Sequence, residues 1–302
     1  MLFGTCNCNS SASSISRRGL LCGGGAGFVT ALISTLASSS RTTRAQSLAS
    51  TPPEVDSLAV RIVTDNQIIK FIPTEKRNGL TIERRPGGYL SKDAPPNMEL
   101  IGEWGLSMHA ESRRGDQVRN ILIDFGYQSQ TLLNNISVLN IDPASFDALV
   151  LGHGHYDHFG GLVGFLSANK GKLKNGLPFF VGGEDCFCIR ETDAGQYGAL
   201  DRKAITDANL SLMMAEGPAV VADHAFTTGK IAQTGAVIGG FHIVPPLPDD
   251  YIHEVIAAFK EINPDYLIPG HCAGERFYDL VRAEMPDKVI HAAVGARFVF
   301  GA

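Results

Sequence analysis

Apolar residues along this chain fall into short blocks separated by glycine, proline and charge, and the spacing within the blocks changes from one half to the other. Residues 58–63 (LAVRIV) predict a strand, as do 67–72 after a turn. Residues 78–97 are rich in Gly, Pro and charge and predict a long loop or flap. Residues 99–109 and 117–123 predict two strands, with the turn Arg113-Arg114-Gly115-Asp116 between them, and 131–139 have helical spacing. Residues 146–151 are too apolar for a one-sided sheet, so they predict a strand buried on both faces, followed by a helix over 162–169. Strand signals recur at 179–181, 220–226 and 236–244. An amphipathic helix over 251–262 has Asp249 and Asp250 near its positive end. A strand at 266–268, a helix over 275–284 and closing strands over 289–300 complete the pattern. Strands come in runs early and alternate with helices late, which predicts an α/β fold of two packed sheets with helices outside.

Size and charge narrow the function classes. With 302 residues, 44% of them hydrophobic and only 19% charged, the chain can bury a large core and is not a disordered polymer. Residues 1–45 hold four of the 26 Lys and Arg residues (Arg17, Arg18, Arg41, Arg44) and none of the 31 Asp and Glu. The remainder therefore carries 22 basic against 31 acidic side chains. A body this acidic repels a phosphate backbone, so a small-molecule substrate is expected and nucleic acid is not.

Residues 1–45 have the make-up of an export signal. Arg17-Arg18 precedes a weakly apolar, glycine-rich and uncharged run from Leu20 to Ala37, and Thr43-Arg44-Ala45 offers a small-x-small cleavage site. The paired arginines resemble the twin-arginine signal of bacteria. The domain reading is a signal peptide over 1–45, a linker over 46–57 and one folded domain over 58–302. It implies passage through the twin-arginine export machinery, a periplasmic location and no stable membrane insertion once the signal is removed. Cys6, Cys8 and Cys22 fall in the signal, leaving Cys186, Cys188 and Cys272. Cys186 and Cys188, two apart, are expected on one face of an apolar strand, with a metal-binding pair as the alternative.

The chemistry concentrates at LVLGHGHYDHFGGL, residues 149–162, which holds three of the nine histidines. His153 and His155 follow a buried strand, at the C-terminal end where α/β folds collect ligands. Two apart in extended backbone, they share a face and can reach one cation. Asp157 and His158 then turn away as the chain bends at Gly160-Gly161, and can serve a second. Neutral imidazole and carboxylate suit zinc, and iron and manganese also accept them.

The sequence from His153 to His158 with Gly160-Gly161 resembles the HxHxDH signature of the metallo-β-lactamase superfamily, and Asp124-Phe125-Gly126 resembles the D-x-G that precedes it. Ala225-Phe226-Thr227-Thr228-Gly229, Gly239-Gly240-Phe241-His242 and Pro269-Gly270-His271-Cys272-Ala273-Gly274 are similar to motifs of the dihydropterin–ribofuranosylaminobenzene phosphate synthase-like subgroup. The resemblance runs from about Leu58 to the C-terminus. It implies an αββα sandwich of two mixed β-sheets with outer helices. It also implies two zinc ions, with iron or manganese as alternatives. His153 and His155 would bind the first metal, Asp157 and His158 the second, and His271 and His242 would complete the set. Asp157 would also be catalytic, orienting a metal-bound hydroxide or taking its proton. Independently of the resemblance, Asp124 is a candidate to fix a histidine tautomer, with buried strand-end packing as the alternative.

The implied activity is metal-dependent hydrolysis of a small ester, amide or phosphoester. A pterin-related transferase and a degenerate, non-catalytic metal-binding member are the alternatives. The chain departs from the subgroup where a Cys-x-His-x-Gly segment is expected, because residues 230–238 are too few to hold it. His224 is a candidate to take that place. His109, His253 and His291 are expected to be structural.

Overall fold

The structure is a computed structural model that describes residues 43–44, 53–69, 72–84, 99–192, 195–215, 217–227 and 236–301. Apart from Thr43–Arg44, the predicted signal lies outside the described residues, as does most of the predicted flap. Alternating side chains along the strands explain the layers. In Ala148–Val150, Leu149 points to one side of the sheet while Ala148 and Val150 point to the other. Phe179 and Val181 oppose Phe180 in the same way, as Leu122 opposes Ile121 and Ile123. Leu149, Leu122 and Phe179 pack with Leu132, Ile136, Leu162, Phe165 and Leu166, from the helices Ser129–Val138 and Leu162–Ala168.

The other face meets smaller sheets. Ile62, Ile82 and Phe298 of the large sheet pack against Ile238 and Ile268, which belong to the parallel pair Ala236–Gly239 and Tyr266–Pro269. The helices Asp249–Ile262 and Glu275–Glu284 close that side through Ile252, Ile256, Phe277 and Val281, which pack on Leu267. Helix, sheet, sheet and helix therefore succeed one another, the αββα order expected from the sequence. The large sheet is mixed and ten-stranded: Gln117–Ile123, Ala148–Val150, Pro178–Val181 and Ser211–Met214 run parallel, and Ser57–Thr64, Ser107–Arg114 and Arg297–Phe300 pair antiparallel. Among the described residues no helix is long and apolar enough to cross a membrane.

Several expectations need correction. Residues 67–69 and 72 form no strand, since Asp65 turns the chain toward His271 and the Gln67 carbonyl accepts from Val294 N–H instead of a ladder. The strand expected from residue 99 begins only at Ser107, because Glu103 N–H donates to the Asp65 carbonyl and Leu106 N–H to that of Asp157. Within the expected flap, Leu80–Glu83 is a strand whose Leu80 and Ile82 are buried. The single strand expected at 220–226 is a hairpin of Ala219–Val221 and Ala225–Thr227, turned by the positive φ of Ala222 and Asp223. Cys186 belongs to a 3-10 turn, Glu184–Phe187, rather than to a strand.

Candidate metal centre

Two strand ends and two glycine-flanked turns build the centre. Past Val150 the chain leaves the sheet, and Asp124 holds it there: one carboxylate oxygen accepts from Gly152 N–H at 2.6 Å and the other meets Nδ1 of His158 at 2.7 Å. Asp124 sits at φ 58°, a conformation that short polar side chains tolerate best. The glycine pair has a steric cause. A Cβ at Gly160 would collide with the Tyr127 carbonyl, and one at Gly161 with that of Phe125. Phe125 N–H also donates to the His158 carbonyl at 2.7 Å, so the two loops lock together.

His271 arrives from the opposite sheet, just after Tyr266–Pro269. Asp65 Oδ1 accepts its backbone N–H at 2.9 Å and fixes its left-handed φ of 48°. A Cβ on Gly270 would lie 2.8 Å from Asp65 Oδ2 and 2.9 Å from Ala292 Cβ, so only glycine fits. His242, also left-handed at φ 57°, follows the neighbouring strand Ala236–Gly239.

All six sequence-predicted ligands come together, in two groups of three. Donor atoms of His153, His155 and His242 lie within 4.8 Å of one another, as do those of Asp157, His158 and His271. The groups adjoin, since the His153 and His158 rings are 4.0 Å apart; within the first group the His155 and His242 rings are 5.1 Å apart. Asp157 Oδ2 meets Nε2 of His271 at 3.0 Å. His224 does not join them. It is buried, with Nδ1 3.0 Å from Ser112 Oγ, and belongs to neither group. His242 instead stands with His153 and His155, so the short 230–238 connection leaves that group with three imidazoles. His109 and His253 bond to Asn120 and Glu284, as structural histidines do.

The donors fit a divalent cation. Burial, reinforced by the His158 and His155 charges, pushes His153 down to about 3, so its imidazole is neutral and free to ligate. Burial favours a neutral Asp157, but the His271 hydrogen bond and the charges of His158 and His271 outweigh it and hold the carboxyl at about 2. Asp124 occupies Nδ1 of His158, whose Nε2 is buried and makes no hydrogen bond to the protein, the pattern of a carboxylate–histidine–metal relay. Sequence reasoning missed Asp65 and Trp104, whose ring lies 5.2 Å from that of His271. A cavity of about 660 Å³ opens beside His271, lined by Asp65, Trp104, Arg276, Tyr278 and His291.

Known proteins match the fold and the stretch that carries the histidine cluster. The metallo-beta-lactamase superfamily model matches residues 116–174, the stretch that carries Asp124 and the histidine cluster. A 7,8-dihydropterin-6-methyl-4-(beta-D-ribofuranosyl)-aminobenzene-5'-phosphate synthase of Methanocaldococcus jannaschii is 32% identical over 85 residues, which cover 28% of this chain and 28% of that enzyme. An uncharacterized protein of the same organism is 24% identical over 228 residues, spanning 59% of this chain and 87% of its own. The crystal structure of a metal-dependent hydrolase of the beta-lactamase superfamily superposes with a TM-score of 0.52 at 16% identity, covering 80% of this chain and 98% of that one. Signature and family match coincide in residues 116–174, and the fold is that of the metallo-β-lactamase superfamily.

Proposed function

We propose that the chain is a metal-dependent hydrolase of a small ester, amide or phosphoester. His153, His155 and His242 would hold one cation, and Asp157, His158 and His271 a second, with zinc the best fit to the imidazole-rich donors. The observation that carries this reading is the convergence of six side chains from three separate segments into two adjoining triads. Cations so held supply Lewis acidity and a water activated near neutral pH.

The protein's own groups do the rest. Asp124 sets the His158 ring and its tautomer, and Asp65 sets the His271 backbone. Asp157, ionised at neutral pH, would help hold a cation and would orient an attacking water by accepting its hydrogen bond. The Trp104 face and the cavity beside His271 give a small substrate a wall to lie against. Zinc-loaded protein is expected to turn over activated esters or phosphoesters, and His155→Ala to abolish turnover with the fold intact. No turnover on a broad panel of such substrates by loaded wild type would contradict the proposal.

A second reading, a pterin-related transferase, is favoured by the match to the M. jannaschii synthase. Mass spectrometry of a reaction mixture holding a dihydropterin donor and a ribosylaminobenzene phosphate acceptor separates the two, because a condensed product supports the transferase. The proposal includes twin-arginine export to the periplasm, on the strength of Arg17-Arg18 ahead of an uncharged run. A reporter fused after Ala45 should leave the cytoplasm. Unchanged movement after Arg17→Lys with Arg18→Lys would contradict the twin-arginine route.

A further inference from the structure

We propose that Asp65 is a specificity residue of this centre, whose free carboxylate oxygen accepts a hydrogen bond from an N–H group of the substrate: amino, amido or amidino. This rests on the hydrolase reading above and adds a feature of the substrate that the metal ligands leave open. Asp65 is 1% exposed, and a carboxylate so buried ordinarily has both oxygens engaged. Here the two oxygens differ. Oδ1 accepts the backbone N–H groups of Asn66 at 2.6 Å and of His271 at 2.9 Å. Oδ2 accepts from no group among the described residues. Gly270 lies against Oδ2, where a Cβ would come within 2.8 Å of it, and both residues line the cavity beside His271. With only hydrogen at Gly270, the free oxygen stays open on the cavity side, next to the metal centre.

The rest of the wall favours the same kind of ligand. Arg276 is the only Lys or Arg among the described residues that line the cavity, and Asp249 takes it up: Nε bonds Oδ1 at 3.0 Å and a terminal nitrogen bonds Oδ2. Arg84, behind His291, donates to the His291 carbonyl at 3.3 Å and faces Glu75. Glu275 and Asp279 add two exposed carboxylates to the wall. Acceptors therefore outnumber free donors, and no guanidinium stands ready for a carboxylate or phosphate tail. Trp104, half-exposed, and Tyr278, edge-on to the His291 ring at 4.6 Å, supply aromatic surface for a small ligand. A ligand that fills this space displaces water from Oδ2. One with an N–H donor restores the bond with charge assistance, and one without leaves a buried carboxylate oxygen unpaired.

Ligand-observed NMR titrations on the zinc-loaded full chain test this with three flat probes of one size: benzamide, benzamidine and acetophenone. Benzamide and acetophenone differ only in an NH2 group against a methyl group. Wild type should bind benzamide about ten-fold more tightly than acetophenone. Benzamidine, tighter or weaker than benzamide, tells a cationic donor group from a neutral one. Asp65→Asn keeps an oxygen for the His271 and Asn66 N–H groups and turns the cavity-facing atom into a donor, so it should erase the preference for benzamide. Should Asp65→Asn fail to fold, a crystal of wild type soaked in benzamide decides, with the amide nitrogen expected at hydrogen-bonding distance from Asp65 Oδ2. Equal affinities for benzamide and acetophenone in wild type, no binding of either, or a preference that survives in Asp65→Asn would overturn the role of Asp65. Turnover of activated esters by the same samples keeps the two readings apart. An active chain without the preference loses the Asp65 inference alone, and an inactive chain that shows it loses the hydrolase reading alone.

Discussion

Nδ1 of His158 and Oδ2 of Asp124 meet at 2.7 Å in a place closed to solvent, and the other ring nitrogen of His158 is left facing Asp157 and His271 without a partner. The pair fixes which nitrogen is offered to a cation. Asp124→Asn tests its worth, because asparagine keeps the left-handed backbone at this position but loses the charge. Zinc affinity at one of the two positions should fall by about 10- to 100-fold. Competition with a chromophoric chelator measures it, and unchanged affinity at both positions would remove the relay.

Gly270 separates Asp65 from Ala292 with no room for a methyl group. Gly270→Ala should push His271 off its Asp65 anchor and cost about 1–3 kcal/mol in stability. Urea unfolding measures the loss. Metal analysis should find one cation lost and the other, held by His153, His155 and His242, retained.

Trp104 is the chain's only tryptophan, and its ring lies 5.2 Å from that of His271. Its emission would therefore report on a cation held by His271. Zinc added to the metal-free chain should change the emission, and His271→Ala should abolish the change. A response identical in that variant would place the zinc elsewhere.

Phe165 is fully buried, with Phe125 and Phe146 at ring distances of 5.9 and 6.3 Å. Phe125 follows Asp124 directly, so this packing supports the loop that carries the relay. Phe165→Ala should cost about 3–5 kcal/mol. Thermal unfolding checks it, and a loss below about 1 kcal/mol would show that the core beneath the loop is not shared.

The parts of the centre that were legible in the sequence are those set by local spacing. His153 and His155 share a face because they lie two apart past a buried strand, and the fully apolar Ala148–Val150 block announced burial on both sides. His242 and His271 were marked by the glycines ahead of them, which the structure needs for close approach at Gly240 and Gly270. Asp65 and Trp104 were not legible, since each reaches His271 across a long stretch of chain and neither has a neighbouring motif. The same long-range bonds drew residues 67–69 and 99–106 out of the strands that their alternation suggested. Trp104 offered one faint signal, being the single copy of the largest side chain, set between Gly102 and Gly105.

Zinc content per folded chain, measured after loading and exhaustive dialysis, addresses the convergence of the two triads most directly. Two equivalents in wild type, falling to one in His153→Ala and to one in His271→Ala, is the predicted result. A wild type that retains no zinc, or two variants that each retain both equivalents, would contradict it.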